Sequence, residues 1–164
     1  MKAMYTYALL TGLFWGCYGP ALAIARGQLK SPWAPYLAIG IAYLVWAVVC
    51  GWIGMKARGE TISISNPGFW WAFGAGTLGA FGALSLTLAM VSGGSQMPQV
   101  IMAMVFGSAV LVAAVVAFIQ LHNEHHVPLG LWIGIVAVAG GVILISYNTP
   151  VKHPVRTAAP TVRL

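Results

Sequence analysis

Three histidines and one glutamate crowd into five residues at His122, Glu124, His125 and His126. Imidazole nitrogens and a carboxylate are ligands of first-row transition metals, so this run has the donors to hold such an ion. The same run also suits a hydrated loop at a helix end, with the imidazoles among lipid headgroups, and that role needs no metal. Elsewhere the chain offers catalysis little. It has no Asp, no glycine-rich phosphate loop, and no Ser, His and acid gathered in one segment for nucleophilic attack, which argues against an enzyme. Cys17 and Cys50 stand alone in apolar sequence, away from any CxxC or Cys/His grouping, and read as small packing residues rather than zinc ligands or a disulfide. None of the four histidines falls inside an apolar stretch, so imidazole ligation of haem or chlorophyll within a bilayer is not expected and no cofactor is implied.

The elements that must position these residues follow from the apolar pattern. Five apolar stretches, at about 4–25, 34–55, 69–92, 98–121 and 129–147, are separated by short Pro-, Gly- or charge-marked breaks. Each approaches the ~17–25 residues with which a helix crosses the hydrocarbon core. The eight Lys/Arg and both Glu lie in the breaks or tails, so the five stretches hold no formal charge. A hydrophobic fraction of 60% and a mean hydropathy of +0.87 exceed what a soluble domain buries. Lipid is therefore the solvent for most of this surface. Backbone groups in lipid must be paired within the segment or in a closed barrel, and long runs without strict alternation exclude the barrel. The expected fold class is all-α: a polytopic membrane protein with five transmembrane helices in residues 1–148 and a basic, Pro-containing tail over 149–164. The first stretch lacks a convincing cleavage site and is expected to remain as a helix. The net charge of +6 sits at helix ends, where its partner is the lipid bilayer and not nucleic acid.

Within the helices, small residues recur at the spacing that lets helices approach closely. Gly12 and Gly16 lie on the first helix, Gly76 and Gly79 on the third, and Gly130, Gly134 and Gly141 on the fifth; all seven are expected to pack helices. Pro20 should kink the first helix near Tyr18 and free the carbonyl near Gly16. Phe69, Trp70 and Trp71 form an aromatic belt at the membrane surface, while Tyr43 and Trp46 sit deeper. Five helices put Lys2, Lys56 and Arg58 on one side of the bilayer and Arg26, Lys30, Lys152, Arg156 and Arg163 on the other. That bias favours a cytoplasmic carboxyl end and is small enough to permit insertion both ways.

From about Leu10 to Asn148 the ordered pieces resemble one five-helix repeat of the EamA-type drug/metabolite transporter superfamily. Leu13-Phe-Trp-Gly16 resembles its opening apolar-Trp-Gly helix, and the Gly/Ala-rich third helix running to Leu88-Ala-Met90 and Ser92 resembles its third helix and turn. Glu124 resembles the acid after helix four, and Trp132-Ile-Gly134 through Ala139-Gly-Gly-Val-Ile-Leu-Ile-Ser146 resembles the closing helix. Two features depart from the family. Phe106-Gly-Ser-Ala109 stands where members carry a Pro, and one repeat is present where members hold two in inverted orientation. The resemblance implies a multi-pass protein of a bacterial cytoplasmic membrane, with a substrate site near the midplane completed by a second copy or a related chain. A cation exporter needs an intramembrane carboxylate, and none occurs here, so a neutral or anionic metabolite is the expected small-molecule substrate. Trp15, Tyr18, Tyr43 and Trp46 would offer aromatic faces to it, and Thr77, Ser85 and Ser108 hydroxyls. The alternative is an accessory subunit that packs its small-residue faces into a larger membrane hetero-complex and transports nothing.

Overall fold

The computed structural model describes residues 2–31, 33–121 and 129–150. Its elements are five helices, α1 (Lys2–Leu29), α2 (Trp33–Arg58), α3 (Pro67–Val91), α4 (Pro98–Leu121) and α5 (Leu129–Asn148), with a 3-10 turn over Gly94–Gln96 between α3 and α4. No strand occurs among the described residues. All five helices are long and apolar enough to cross a bilayer. From 20 residues in α5 to 28 in α1, they measure about 30 to 42 Å. The chain is a multi-pass, all-α membrane protein.

The helix ends show why some boundaries move from where the apolar pattern puts them. The pattern stops α1 at the first cation, yet the helix runs on through Arg26 to Leu29. Arg26 is not cast out of the helix, because its Nη2 donates to the carbonyl of Val91, in the last turn of α3, at 3.3 Å. A cation there also meets the negative end of the α3 dipole. α1 closes at Lys30, whose φ of 50° is left-handed and whose N–H reaches the Arg26 carbonyl at 3.1 Å. Ser31 Oγ then accepts from the N–H groups of Trp33 and Ala34, both at 3.2 Å, and caps α2. α2 ends in a Schellman pair, with Gly59 N–H to Lys56 O at 3.3 Å and Glu60 N–H to Met55 O at 3.0 Å around the left-handed Gly59. Pro67 and Gly68, in the break before the apolar stretch at 69–92, are the first residues of α3. Asn66 Oδ1 caps them by accepting from the Gly68 N–H at 2.8 Å, and Pro at the first helical position loses no bond. Pro20 lies inside a continuous α1.

The buried core of the molecule lies at one end. Its core is Leu22 of α1, Leu86 and Met90 of α3 and Met102 of α4, with Tyr18, Ile39, Ile101 and Val105 packed against it. These residues come from the carboxyl halves of α1 and α3 and the amino halves of α2 and α4. Antiparallel neighbours bring those halves to the same end. Thr87 is buried there with its hydroxyl donating to the Ala83 carbonyl of its own helix at 2.8 Å. Toward the other end α1, α2 and α3 part, while α4 and α5 stay paired, Phe118 meeting Trp132 edge-to-face at 6.1 Å. Every residue of α2 from Gly40 to Arg58 except Met55 is exposed, as is α1 from Ala3 to Cys17. Exposed apolar surface of this extent is costly in water but not in lipid, which is as apolar as the side chains themselves. Trp52 with Lys56 held 5.9 Å over its ring, and the edge-to-face row Phe69, Trp70 and Phe73, mark the headgroup level at this open end.

Candidate functional site

Where the packed end gives way to the open end, one stripe from each of three helices converges. On α1 the stripe is Trp15, Tyr18, Leu22 and Arg26, spaced three, four and four residues apart, which keeps all four on one face. On α2 it is Pro35, Ile39, Tyr43 and Trp46, and on α4 Met102 is followed one turn later by Phe106. The Trp15 ring lies 5.8 Å from that of Tyr18, tilted by 38°, and meets Phe106 edge-to-face at 6.2 Å. Tyr18 and Ile39 both pack against the core of Leu22, Leu86, Met90 and Met102, which is where the α1 and α2 stripes meet. α1 and α4 approach closely here because Gly19 has no side chain: a Cβ at that position would collide with the Met102 side chain.

The Tyr18 hydroxyl is buried and has no hydrogen-bond partner among the described residues. Buried phenols ordinarily find one, so this group has bonding capacity left over. The neighbouring phenol of Tyr36 is used differently, donating to the Ala80 carbonyl at 3.3 Å and tying α2 to α3. Two cavities adjoin at Ile39. One, of about 280 Å³, lies between α1 and α2 against Tyr18, Leu22, Pro35, Ile39 and Ala42. The other, of about 570 Å³, lies between α2 and α3 against Tyr36, Ile39, Tyr43, Ala80 and Ala83. Among the described residues, no charged side chain lines either of them.

The seven sequence-read substrate contacts therefore divide. Trp15 and Tyr18 come together at the junction, while Tyr43 is exposed and lines the cavity between α2 and α3. Trp46 continues the same face of α2, but one turn past the point where the helices part, and is 66% exposed. Thr77 and Ser108 are exposed, and each hydroxyl donates back into its own helix, to Phe73 O at 2.9 Å and to Val105 O at 3.0 Å. Ser85 lies off the face of α3 that buries Ala83, Leu86, Thr87 and Met90 and is exposed. Phe106, which meets the Trp15 ring, and Arg26, which turns back onto the end of α3, are not read as site residues from the sequence. Both stand in helical register with buried apolar residues, Arg26 one turn beyond Leu22 and Phe106 one turn beyond Met102, and that register is the signal that could find them.

The expected glycine contacts also shift. A Cβ placed at Gly12, Gly16, Gly76, Gly79, Gly130, Gly134 or Gly141 would meet nothing within 4 Å, so none of these seven makes a close helix contact among the described residues. Close approach is made at Gly19, at Gly94, where a Cβ would lie 2.7 Å from the Ala89 carbonyl oxygen, and at Gly107, where it would collide with Val142 of α5. The physical reason is register. On α5, Ile135, Val138, Ala139 and Val142 share a half-buried face, whereas Gly130, Gly134 and Gly141 are turned to the side of it. On α1 and α3 the open-end glycines lie where the helices have already parted.

The residues with metal-ligand chemistry, His122, Glu124, His125 and His126, lie outside the described residues. Among the described residues no three His, Cys, Asp or Glu gather closely enough to hold an ion. Compared with known proteins, the chain matches no family model, no curated protein and no solved structure.

Proposed function

We propose that this chain is one five-helix unit of the EamA-type drug/metabolite transporter kind, and that it moves a neutral or anionic metabolite across a bacterial cytoplasmic membrane as a dimer. The supporting observation is the asymmetry of the bundle: an end sealed by Leu22, Leu86, Met90 and Met102, an open end, and at their junction an aromatic group with a partnerless phenol. A site at that depth, closed toward one side and open toward the other, is what alternating access requires of a half-transporter. A second unit laid against the open half would complete its walls. Reconstitution tests this. The protein purified alone and placed in liposomes should take up at least one member of a panel of neutral and anionic metabolites, and Trp15→Ala should abolish that uptake.

A second reading is favoured by one observation. Gly130, Gly134 and Gly141 of α5 meet no other helix among the described residues, which leaves their small-residue row free to pack against another chain. In that reading the protein is a non-transporting subunit of a larger membrane complex. Isolation from native membranes as a stable hetero-complex, with no uptake by the reconstituted chain, would establish it over the transporter.

A further inference from the structure

Resting on the transport reading for its biological role, we propose that α2 is the moving element of the bundle: pinned at its amino end, it swings against a frame of α1, α3, α4 and α5, and the Tyr36 hydrogen bond holds it down. Lipid supplies no hydrophobic force between helices, so a helix stays docked through close packing and polar ties. The frame has both. Gly19 lets α1 sit against Met102 of α4, Gly107 lets α4 sit against Val142 of α5, and Arg26 of α1 donates to the Val91 carbonyl at the end of α3. The turn from α3 to α4 is closed tightly around Gly94, and Leu86, Met90 and Met102 join these two helices in the core.

α2 has little of either. Among the described residues it packs on α1 and α3 alone, and an open cleft runs along each seam, about 280 Å³ against α1 and about 570 Å³ against α3. Pro35 is its one buried residue, and a Cβ at Gly40, Gly51 or Gly54 would meet nothing within 4 Å. Its one hydrogen bond to another helix among the described residues runs from the Tyr36 hydroxyl to the Ala80 carbonyl at 3.3 Å. Few buried contacts and a single long bond mark an element that opens at low free energy. What ties there are lie at one end. Ser31 caps the first turn, Pro35 is buried, Ile39 packs against the core, and everything from Gly40 to Arg58 except Met55 is exposed. From Tyr36 to Arg58 the helix extends about 33 Å, so a rotation of about 10° at the amino end carries the carboxyl end about 6 Å. Such a hinged swing widens or closes the cleft against α3 and leaves the sealed end in place.

Spin labels measure the swing in lipid nanodiscs, with each labelled chain diluted in unlabelled protein so that only distances within one chain are read. Cys17 and Cys50 are replaced by Ala. One sample carries Gly51→Cys on α2 with Val116→Cys on α4, the other Gly76→Cys on α3 with the same Val116→Cys; all three positions are exposed. The α2-to-α4 separation should divide between a docked and a swung population, and the α3-to-α4 separation should be single and narrow. Tyr36→Phe, which removes one oxygen and keeps the ring, should raise the ratio of swung to docked chains about fivefold, the loss of one ordinary hydrogen bond, and leave the α3-to-α4 separation unchanged. Equal widths for the two pairs would overturn the proposal, as would a ratio that Tyr36→Phe leaves where it was. If α2 swings but the chain takes up nothing in liposomes, this inference stands and the transport reading falls; uptake by a protein whose α2 is fixed does the reverse.

Discussion

At the residue scale, the protein uses side chains that are polar at one point and apolar elsewhere. Tyr36 spends its phenol on the Ala80 carbonyl, Thr87 spends its hydroxyl on its own helix, and Tyr18 leaves its phenol over. Of these three, only the last is buried without a partner among the described residues. The pairing of Trp15 with Tyr18 follows from their three-residue spacing on one helix, and large aromatics at mid-helix stand out from aliphatic neighbours. The hydroxyls were not separable in the same way: whether Thr77, Ser85 or Ser108 looks inward depends on helix rotation, which composition does not encode. One residue carries an avoidable cost. Lys30 holds a left-handed φ of 50° to close α1, a conformation that glycine adopts freely. Lys30→Gly should therefore stabilise the protein by about 1 kcal/mol, less what added freedom in the unfolded chain takes back. Thermal unfolding in detergent should show this as a rise of about 2–4 °C. A fall would mean that the lysine side chain contributes more at the headgroups than its backbone costs.

At the element scale, the distinction is between glycines that join helices of this chain and glycines that do not. Gly107 lets Val142 of α5 sit against α4, while Gly134 on α5 faces open space. Gly107→Leu should force α4 and α5 apart and lower the thermal midpoint by several degrees, because in lipid the loss of close packing has no hydrophobic term to compensate it. Gly134→Leu should leave that midpoint unchanged and instead shift the protein toward lower mass in sizing experiments. Equal losses of stability in the two variants would refute the register of α5 described above. The polar tie between α1 and the end of α3, Arg26 to Val91, belongs to the same scale, since its effect is to fix where two helices cross. Arg26→Gln shortens the reach and removes the charge, and should lower the thermal midpoint by about 2–4 °C, as expected for the loss of about 1 kcal/mol from a half-buried, charge-assisted bond.

At the scale of the whole molecule, the bundle is half closed. The sealed end is held by few large side chains, with Met90 wholly buried among them, and no buried cluster of this kind holds the open end among the described residues. If the open half forms a hydrated cleft in the working assembly, cysteines placed along α3 should report it in order. With Cys17 and Cys50 replaced by Ala, Gly79→Cys should react with a water-soluble maleimide, and Thr87→Cys, two turns further on, should not. Protection of both would place lipid or protein against the open half, and labelling of Thr87→Cys alone would put the water at the opposite end.

Five spans, their extents to about one helical turn, the absence of charge along most of their length and the aromatic ingredients of the site all follow from the sequence by itself. Crossing a bilayer is a local property: about twenty apolar residues whose backbone must bond to itself can only be a helix, whatever their neighbours do. The choice of facing surfaces was not local. Helices apolar all round carry no inward stripe to read, because lipid and protein interior solvate Leu and Val alike, and small-residue rows occur on several faces at once. Only the tertiary structure decided that Gly19 and Gly107, not Gly12 or Gly134, carry the close contacts, that Arg26 turns back into the fold, and that Tyr18 is left with a bond to give.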